Sequence, residues 1–244
     1  MKKTGLFFLS ILLVGVFIFR EGNFLGSNPS LTISQHKFLL SNPSWFLTNK
    51  NTNFTYKLIS RQASQNDSDE AFLIKEPMLE AIFNEKVKNS ISSEEARLEL
   101  HNEKLIMKKK VHYKLINDKE ITHLYSEQIN LDLKNNITST GLDVELKSEY
   151  FVLRGNGFQL TESPEGETQI TFAKADLKQN SENGYQKLGS ADSVLFKEKS
   201  GILIFRGSAE IKLELMNMTA DEIKYNYKTR SILSSKNSVL VNKT

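Results

Sequence analysis

Apolar and polar residues alternate along most of the chain, and the alternation is clearest between residues 191 and 241. Within residues 209–215, hydrocarbon and charged side chains follow each other at every position after Ala209. Every second side chain lies on the same face of a β-strand, whereas a helix would scatter these charges around its circumference. The pattern therefore predicts strands that bury one face and expose the other.

The alternating unit recurs at intervals of roughly 30 residues, which is the spacing of stacked supersecondary units. Residues 191–241 hold two copies end to end, and residues 93–111 and, more approximately, 126–144 keep the same spacing of apolar positions. Such units bury a core only by stacking on their neighbours. We therefore expect an all-β fold, an elongated sheet of stacked antiparallel strands.

Individual strands and turns follow from the same alternation. Residues 78–86 and 94–97 also have some helical character, but strand is favoured for both, and little helix is expected after residue 20. Turns are expected at residues 155–157 and 164–166, where glycine is frequent. Strands are expected at residues 54–60, 71–83, 105–115, 121–133, 141–146, 150–153, 158–160 and 170–175.

Composition limits the class of protein. Hydrophobic residues make up 39% of the chain and charged residues 25%, so the 244 residues can bury a core. A net charge of +3 with interleaved signs argues against nucleic acid as a partner. The one basic run, residues 108–110, is interpreted as a solvated strand end rather than a contact with anionic headgroups. No cysteine is present, which excludes disulfides, thiolate metal sites and lipoprotein acylation.

The amino terminus reads as a membrane-targeting segment. Two lysines precede an apolar run from Leu6 to Phe19, and Arg20 closes it. The run is shorter than an ordinary spanning helix, which favours a signal peptide, but no small residues form a cleavage site after it. An uncleaved transmembrane helix over residues 1–20 is the favoured interpretation, with its amino end in the cytoplasm. Residues 21–43, rich in Gly, Ser, Asn and Pro, are expected to form a linker.

The search for catalytic chemistry finds no motif. The chain contains no phosphate-binding glycine loop, no nucleophile elbow and no His-Glu-x-x-His pair. His101, His112 and His123 are spaced eleven apart, but solvent-facing histidines are favoured over a metal site. No catalytic residue, metal ligand or cofactor is predicted, and the protein is not expected to be an enzyme.

What remains is the apolar face of the predicted strands. It belongs either to an ordinary closed core or to an open curved sheet that binds hydrocarbon chains, and the pattern alone does not separate the two. The residues that share the inward parity, and that are the candidates for lipid binding, are Leu98, Leu100, Leu131, Leu133, Leu142, Val144, Phe196, Ile211, Leu213, Ile223 and Tyr225.

Two strand motifs follow the apolar amino-terminal segment, Tyr-x-Leu-x-Ser at 56–60 and Ile-Lys-Glu-Pro-x-Leu at 74–79. These motifs resemble the LptC family of lipopolysaccharide-export proteins. The segments 189–192 and 218–225 look like the related LptA and OstA-like repeat. The resemblance covers most of residues 50–240 and implies a twisted β-jellyroll at 44–165, with an OstA-like extension at 166–244 that continues the same sheet.

The resemblance also implies a function and partners. The protein would be anchored in the inner membrane by a single span, with its bulk in the periplasm. It would receive lipopolysaccharide from the membrane ATPase formed by LptB, LptF and LptG, and pass it to the soluble bridge protein LptA. Members of the family join edge to edge, and the last strand, with Val239, Leu240 and Val241, is the candidate partner-binding edge. The alternative is an exported structural or adhesive β-solenoid without a lipid ligand.

Overall fold

The computed structural model describes residues 36–49, 54–66, 70–83, 85–116, 120–162, 168–181, 184–212 and 216–242. Within these ranges the regular structure is entirely β-strand, as expected. The strands are β1 (His36–Ser41), β2 (Ser44–Asn49), β3 (Phe54–Ile59), β4 (Gln62–Asn66), β5 (Phe72–Lys75), β6 (Met78–Phe83), β7 (Lys86–Ser92), β8 (Glu95–Glu99), β9 (Lys104–Ile116), β10 (Ile121–Asp132), β11 (Ile137–Lys147), β12 (Phe151–Glu162), β13 (Thr168–Ser181), β14 (Gly184–Lys197), β15 (Ile202–Lys212), β16 (Met216–Asn226), β17 (Ser231–Lys236) and β18 (Val239–Asn242).

These strands form one antiparallel meander that is folded lengthwise into two layers. Strands β9 to β16 are long and bend near their middles, and each pairs with the next along both halves. The shorter strands form consecutive pairs, and each pair corresponds to one long strand interrupted at the bend. These pairs are β1 with β2, β3 with β4, β5 with β6, β7 with β8, and β17 with β18. We call the line of bends the crease.

Each bent strand contributes one half to each layer. Layer A contains β2, β3, β6, β7, the carboxyl halves of β9, β11, β13 and β15, the amino halves of β10, β12, β14 and β16, and β18. Layer B contains β1, β4, β5, β8, the remaining halves, and β17. Hairpin turns alternate between the free margins of the two layers, opposite the crease.

Breaks and bulges produce the crease. In the first part of the chain Pro43 and Pro77, neither of which can donate to a ladder, lie at two of the four crossings between the layers, and Glu76 before Pro77 has φ +51°. In the second part the pairing register shifts within continuous strands, as between Ser190 and Ser193. Bulges of this kind bend a strand and increase its twist. The whole sheet therefore folds along one line.

Two sequence predictions were wrong for residues that lie at the crease. Residues 155–157 were expected to turn, but β12 runs through them, and Gly157 with φ +88° supplies the bend. The run at 108–110 was expected at a strand end, but it lies inside β9 at the crease. There Lys109 and Lys110 pair with Glu95 and Glu94, each at 2.6 Å.

The core lies between the two layers. Alternate side chains of both layers point inward, and contacts such as the edge-to-face pair of Trp45 in layer A and Phe72 in layer B join them. The largest fully buried side chains include Phe151, Phe172, Phe196 and Phe205. The core therefore continues along the length of the sheet from β2 to β16.

Most predicted strands are confirmed, with different limits. The favoured strands are found at Met78–Phe83 (β6) and Glu95–Glu99 (β8), 150–153 and 158–160 merge into β12, and β11 and β13 are longer than expected. The end of the expected linker forms β1, which pairs with β4. The predicted anchor at 1–20 lies outside the described residues, and among those described no helix is long and apolar enough to cross a membrane.

Candidate functional site

The predicted inner face is brought together by the fold. Nine of its residues come from both layers, point between them, and belong to the core or pack against it. Leu213 lies outside the described residues. Those in the core are Leu98, Leu131, Leu133, Val144, Phe196, Ile211, Ile223 and Tyr225, and Leu100 packs against them while half-buried.

Leu142 is an exception to this arrangement. It is 47% exposed, although its place in the alternation predicted an inward direction. The β11–β12 register shifts between Thr140 and Asp143, and residues 141–143 at this bend are all exposed, whereas Thr140 and Val144 on either side keep the inward direction. The prediction for Leu142 was therefore wrong, whereas Val144 beyond the bulge lies in the core.

Several large side chains of the inner face were not predicted from the sequence. Trp45, Tyr56, Phe151, Phe158 and Phe172 are all buried between the layers. In β12 the inward residues Leu153 and Phe158 are an odd number of positions apart, because the bend at Gly157 shifts the alternation. The alternation on each side of residues 155–157 was the available signal, and the turn expected there concealed it.

The space between the layers is filled by these side chains. One cavity of about 20 Å³ lies between β3, β6, β7 and β9 of layer A and β10, β11 and β12 of layer B. Its lining includes Leu79, Ile91, Tyr113, Leu131 and Leu160. A space of this size holds about one water molecule. A hydrocarbon chain therefore enters this cavity only if the layers move apart there.

The free margins of the two layers meet along a line that we call the seam. Tyr56 Oη in layer A donates to Asn136 Oδ1 in layer B at 2.6 Å. Further along, Tyr225 Oη donates to Gln179 Oε1 at 3.1 Å. Among the described residues, strands pair only within each layer, and the contacts across the seam involve side chains. Opening the seam therefore breaks no ladder.

Both ends of the sheet present edge strands. At one end β1 and β2 expose Phe38, Leu39 and Phe46. At the other end β18 pairs with β16, and Val239, Leu240 and Val241 are 55–58% exposed. Leu240 stands opposite the inward Met218, so the inner face continues to this edge. The predicted partner-binding residues thus lie at an end of the sheet.

The sequence matches the model of a known protein family. Residues 6–165 match the family model described as LptC, lipopolysaccharide-assembly, LptC-related. The match covers well over half of the chain. The protein belongs to the LptC-related family. Membership connects it with lipopolysaccharide assembly, and residues 166–244 of this LptC-related protein extend beyond the matched region.

The LptC-related chain is similar to a solved structure but to no curated protein sequence. No curated protein matches it significantly. Among solved structures it is similar to the crystal structure of LptH, the LptA homologous periplasmic component of the conserved lipopolysaccharide transport device from Pseudomonas aeruginosa. The identity is 14%, the TM-score is 0.44, and the alignment covers 50% of this chain and 95% of LptH.

The histidines of the LptC-related protein do not form a three-residue site. His101 is exposed in the turn before β9, whereas His112 and His123 are half-buried on the outer face of layer A. Nε2 of His112 lies 2.9 Å from Nδ1 of His123, and the Tyr125 ring stacks on His112 with centroids 4.7 Å apart. In the described part of the chain no three His, Asp or Glu residues are grouped to hold a metal ion.

The histidine pair predicts a pH-dependent stability. Burial lowers the pKa of both imidazoles, and the nearby charge of Lys114 adds to the effect. The unfolded chain therefore takes up these protons near pH 6.5 and the folded chain only at lower pH. The free energy of unfolding should fall as the pH is lowered from 7.5 to 5.5, which urea unfolding measures.

A double variant isolates this contribution. With His112→Gln and His123→Gln the decrease between pH 7.5 and 5.5 should become shallower, while His101→Gln, at an exposed position, should leave it unchanged. An unaltered pH profile in the double variant would assign the decrease to other groups.

Proposed function

We propose that this LptC-related protein is an anchored periplasmic component of lipopolysaccharide transport that carries acyl chains along its inner face. The anchor is the apolar segment 1–20, and the sheet stands in the periplasm. The lipid is received from the ATPase complex of LptB, LptF and LptG and is passed to LptA. Family membership supports the transport role. The observation that carries the mechanism is the continuous apolar core between two layers that share one sheet.

The length of the inner face suits a conduit. Each layer has thirteen strand positions, counting β1 or β2 as the first and β17 or β18 as the last. At about 4.8 Å for each position, the sheet extends for about 60 Å along the direction of its hydrogen bonds. Buried apolar residues occupy both layers over most of this distance. Acyl chains moving between the layers would find similar surroundings at each step.

Transfer along this face requires no chemistry from the protein. Burial of hydrocarbon contributes about 25 cal/mol for each Å² and has no preferred direction, so a chain slides between equivalent positions. Separation of the layers costs packing contacts such as that of Phe151 with Phe196, whose ring centroids are 5.7 Å apart. Insertion of acyl chains replaces those contacts. The energy for directed movement would come from the ATPase.

The two sheet ends provide the connections in this proposal. The exposed edge of β18 would pair with a strand of LptA, and Leu240 would continue the apolar face into the partner. Strands β1 and β2 are the described strands nearest in sequence to the proposed anchor. Edge pairing joins two sheets by main-chain hydrogen bonds, so one continuous face would form across the junction.

Site-specific photocrosslinking tests the proposal. A photoreactive residue replaces Leu131 or Phe196 on the inner face, and Lys212, exposed on the outer face, is the matched control. Lipopolysaccharide should crosslink to the inner positions in cells and not to Lys212. Absence of crosslinks at both inner positions, in a protein that folds normally, would reject a lipid conduit.

A structural or adhesive role is the second candidate. The observation that favours it is the filled interior, whose cavity of about 20 Å³ leaves no space for an acyl chain without movement of the layers. The photocrosslinking result separates the two, because a permanently closed core would give no lipid adduct at Leu131 or Phe196.

A further inference from the structure

The seam carries positive charge near the carboxyl end of the sheet, in the turn between β16 and β17. Lys228 Nζ on the layer B margin lies 2.7 Å from Glu120 Oε1 on the layer A margin, although 108 positions separate them in the chain. Two residues further, Arg230 Nη2 donates to the backbone oxygen of Asn180 in layer A at 3.4 Å. We call Lys228 and Arg230 the seam cations. Both bridge the layers.

An aromatic cluster lies directly inside the seam cations. Tyr227 of layer B contacts Tyr150 and Phe151 of layer A, with ring centroids 5.7 Å and 4.9 Å apart. Tyr227 is buried, and its hydroxyl donates to the Glu198 backbone oxygen within its own layer. The rings of the two layers are therefore held to each other by packing, and parting the layers breaks no hydrogen bond of Tyr227.

An anion with more charge than a carboxylate would displace the present partners of the seam cations. In the Glu120–Lys228 pair the Lys228 side chain is 38% exposed and the Glu120 side chain 15%, so an anion in solution reaches Lys228 while Glu120 is largely covered. The bond from Arg230 is long and its acceptor is neutral. A phosphate group carries more charge than one carboxylate, and its oxygens accept bidentate bonds from a guanidinium. Both cations would therefore exchange their present partners for phosphate.

We propose that the seam cations bind the phosphorylated head of an amphiphile and that this exchange opens the seam beside them. The head displaces Glu120 from Lys228 and Asn180 from Arg230, and the hydrocarbon passes between Tyr227 and Phe151 into the space between the layers. Lys228, Arg230, Asn180 and Tyr227 lie in residues 166–244, outside the family-matched region, whereas Glu120 and Phe151 lie within it. The inference rests on the proposed function. It assigns the place on the seam where the lipid head lies while the acyl chains lie between the layers.

Opposite substitutions on the two margins give opposite predictions. Lys228→Gln with Arg230→Gln removes the seam cations and should weaken binding of bisphosphorylated lipid A about tenfold. Glu120→Gln removes the competing carboxylate and keeps both cations, and it should tighten binding about threefold. Arg206→Gln with Lys236→Gln is the matched control, because it removes two cations that pair with Glu222 on the outer face. The control should bind as the unmodified protein does.

The measurement is equilibrium binding by the full-length protein in detergent, with far-ultraviolet circular dichroism as the check on folding. Bisphosphorylated lipid A, dephosphorylated lipid A and inorganic phosphate are the three probes. The dephosphorylated lipid should bind equally to every variant, and inorganic phosphate should bind more weakly than bisphosphorylated lipid A, because it has no hydrocarbon to bury. Equal binding of bisphosphorylated lipid A to all variants would overturn the inference.

Two further outcomes are distinguishable. If the unmodified protein binds neither form of lipid A, the proposed function itself fails. If inorganic phosphate binds the seam cations as tightly as bisphosphorylated lipid A does, the site is an anion site without an opening, and the lateral opening is rejected while the conduit stands.

Discussion

Replacing Gly189 with alanine is expected to lower the free energy of unfolding by about 1–3 kcal/mol, the usual cost of adding a methyl group to a packed core. Gly189 is buried in β14, where it pairs with Leu177 of β13 and Ile211 of β15. A Cβ at this position would overlap the backbone oxygen of Glu210 and approach the Ile211 side chain within 3.2 Å. A backbone carbonyl cannot rotate away as a side chain does, so the β14–β15 pairing must shift.

Gly141→Ala provides the matched control for Gly189→Ala. Gly141 also lies beside a crease bulge, in β11, but a Cβ there would meet no atom within 4 Å. This change should alter the unfolding free energy by less than about 0.5 kcal/mol, as exposed substitutions usually do. Urea unfolding followed by the fluorescence of Trp45, the one tryptophan of the chain, measures both variants. Equal stabilities would mean that β14 and β15 adjust without cost.

The strands were predictable because their signal is local. Charge and hydrocarbon alternate over short distances, and the alternation needs no knowledge of the rest of the chain to indicate which residues face inward. Phe196, Ile211 and Ile223 were placed correctly in this way. Leu142 and the turn expected at residues 155–157 were wrong for one common reason. Both lie at the crease, where a bend interrupts the alternation, and residues that allow a bend, such as Gly157, also occur in turns.

The second layer and the seam could not be derived from the alternation. Period two separates an inner from an outer face, but it does not say that each strand bends and lies against its own other half. Contacts such as Tyr56 with Asn136 and Lys228 with Glu120 join residues 80 and 108 positions apart. They depend on the crease, on the number of strands between the residues and on the twist of the whole sheet. The candidate inner face was thus accessible from the sequence, whereas the polar contacts that close it were not.

In the proposed function β18 pairs with a strand of LptA, and charged substitutions in β18 are expected to abolish this pairing. Val239, Leu240 and Val241 form the exposed edge, and replacing all three with lysine places three like charges where a second strand would add. Natural edge strands use lysine in this way to prevent pairing with other chains. Affinity for LptA should fall at least about a hundredfold, because the main-chain contacts of a whole strand are lost together.

The opposite end of the sheet supplies the control for this experiment. Phe38→Lys with Leu39→Lys introduces the same charge type at the exposed edge strand β1, which belongs to the other end. Binding of LptA, measured with the purified proteins by biolayer interferometry, should be lost with the β18 variant and retained with the β1 variant. The β18 strand contacts the rest of the sheet through β16 alone among the described residues, so the fold should persist in both. Retained binding by the β18 variant would place the LptA contact elsewhere, and loss only in the β1 variant would reverse the proposed direction of transfer along the sheet.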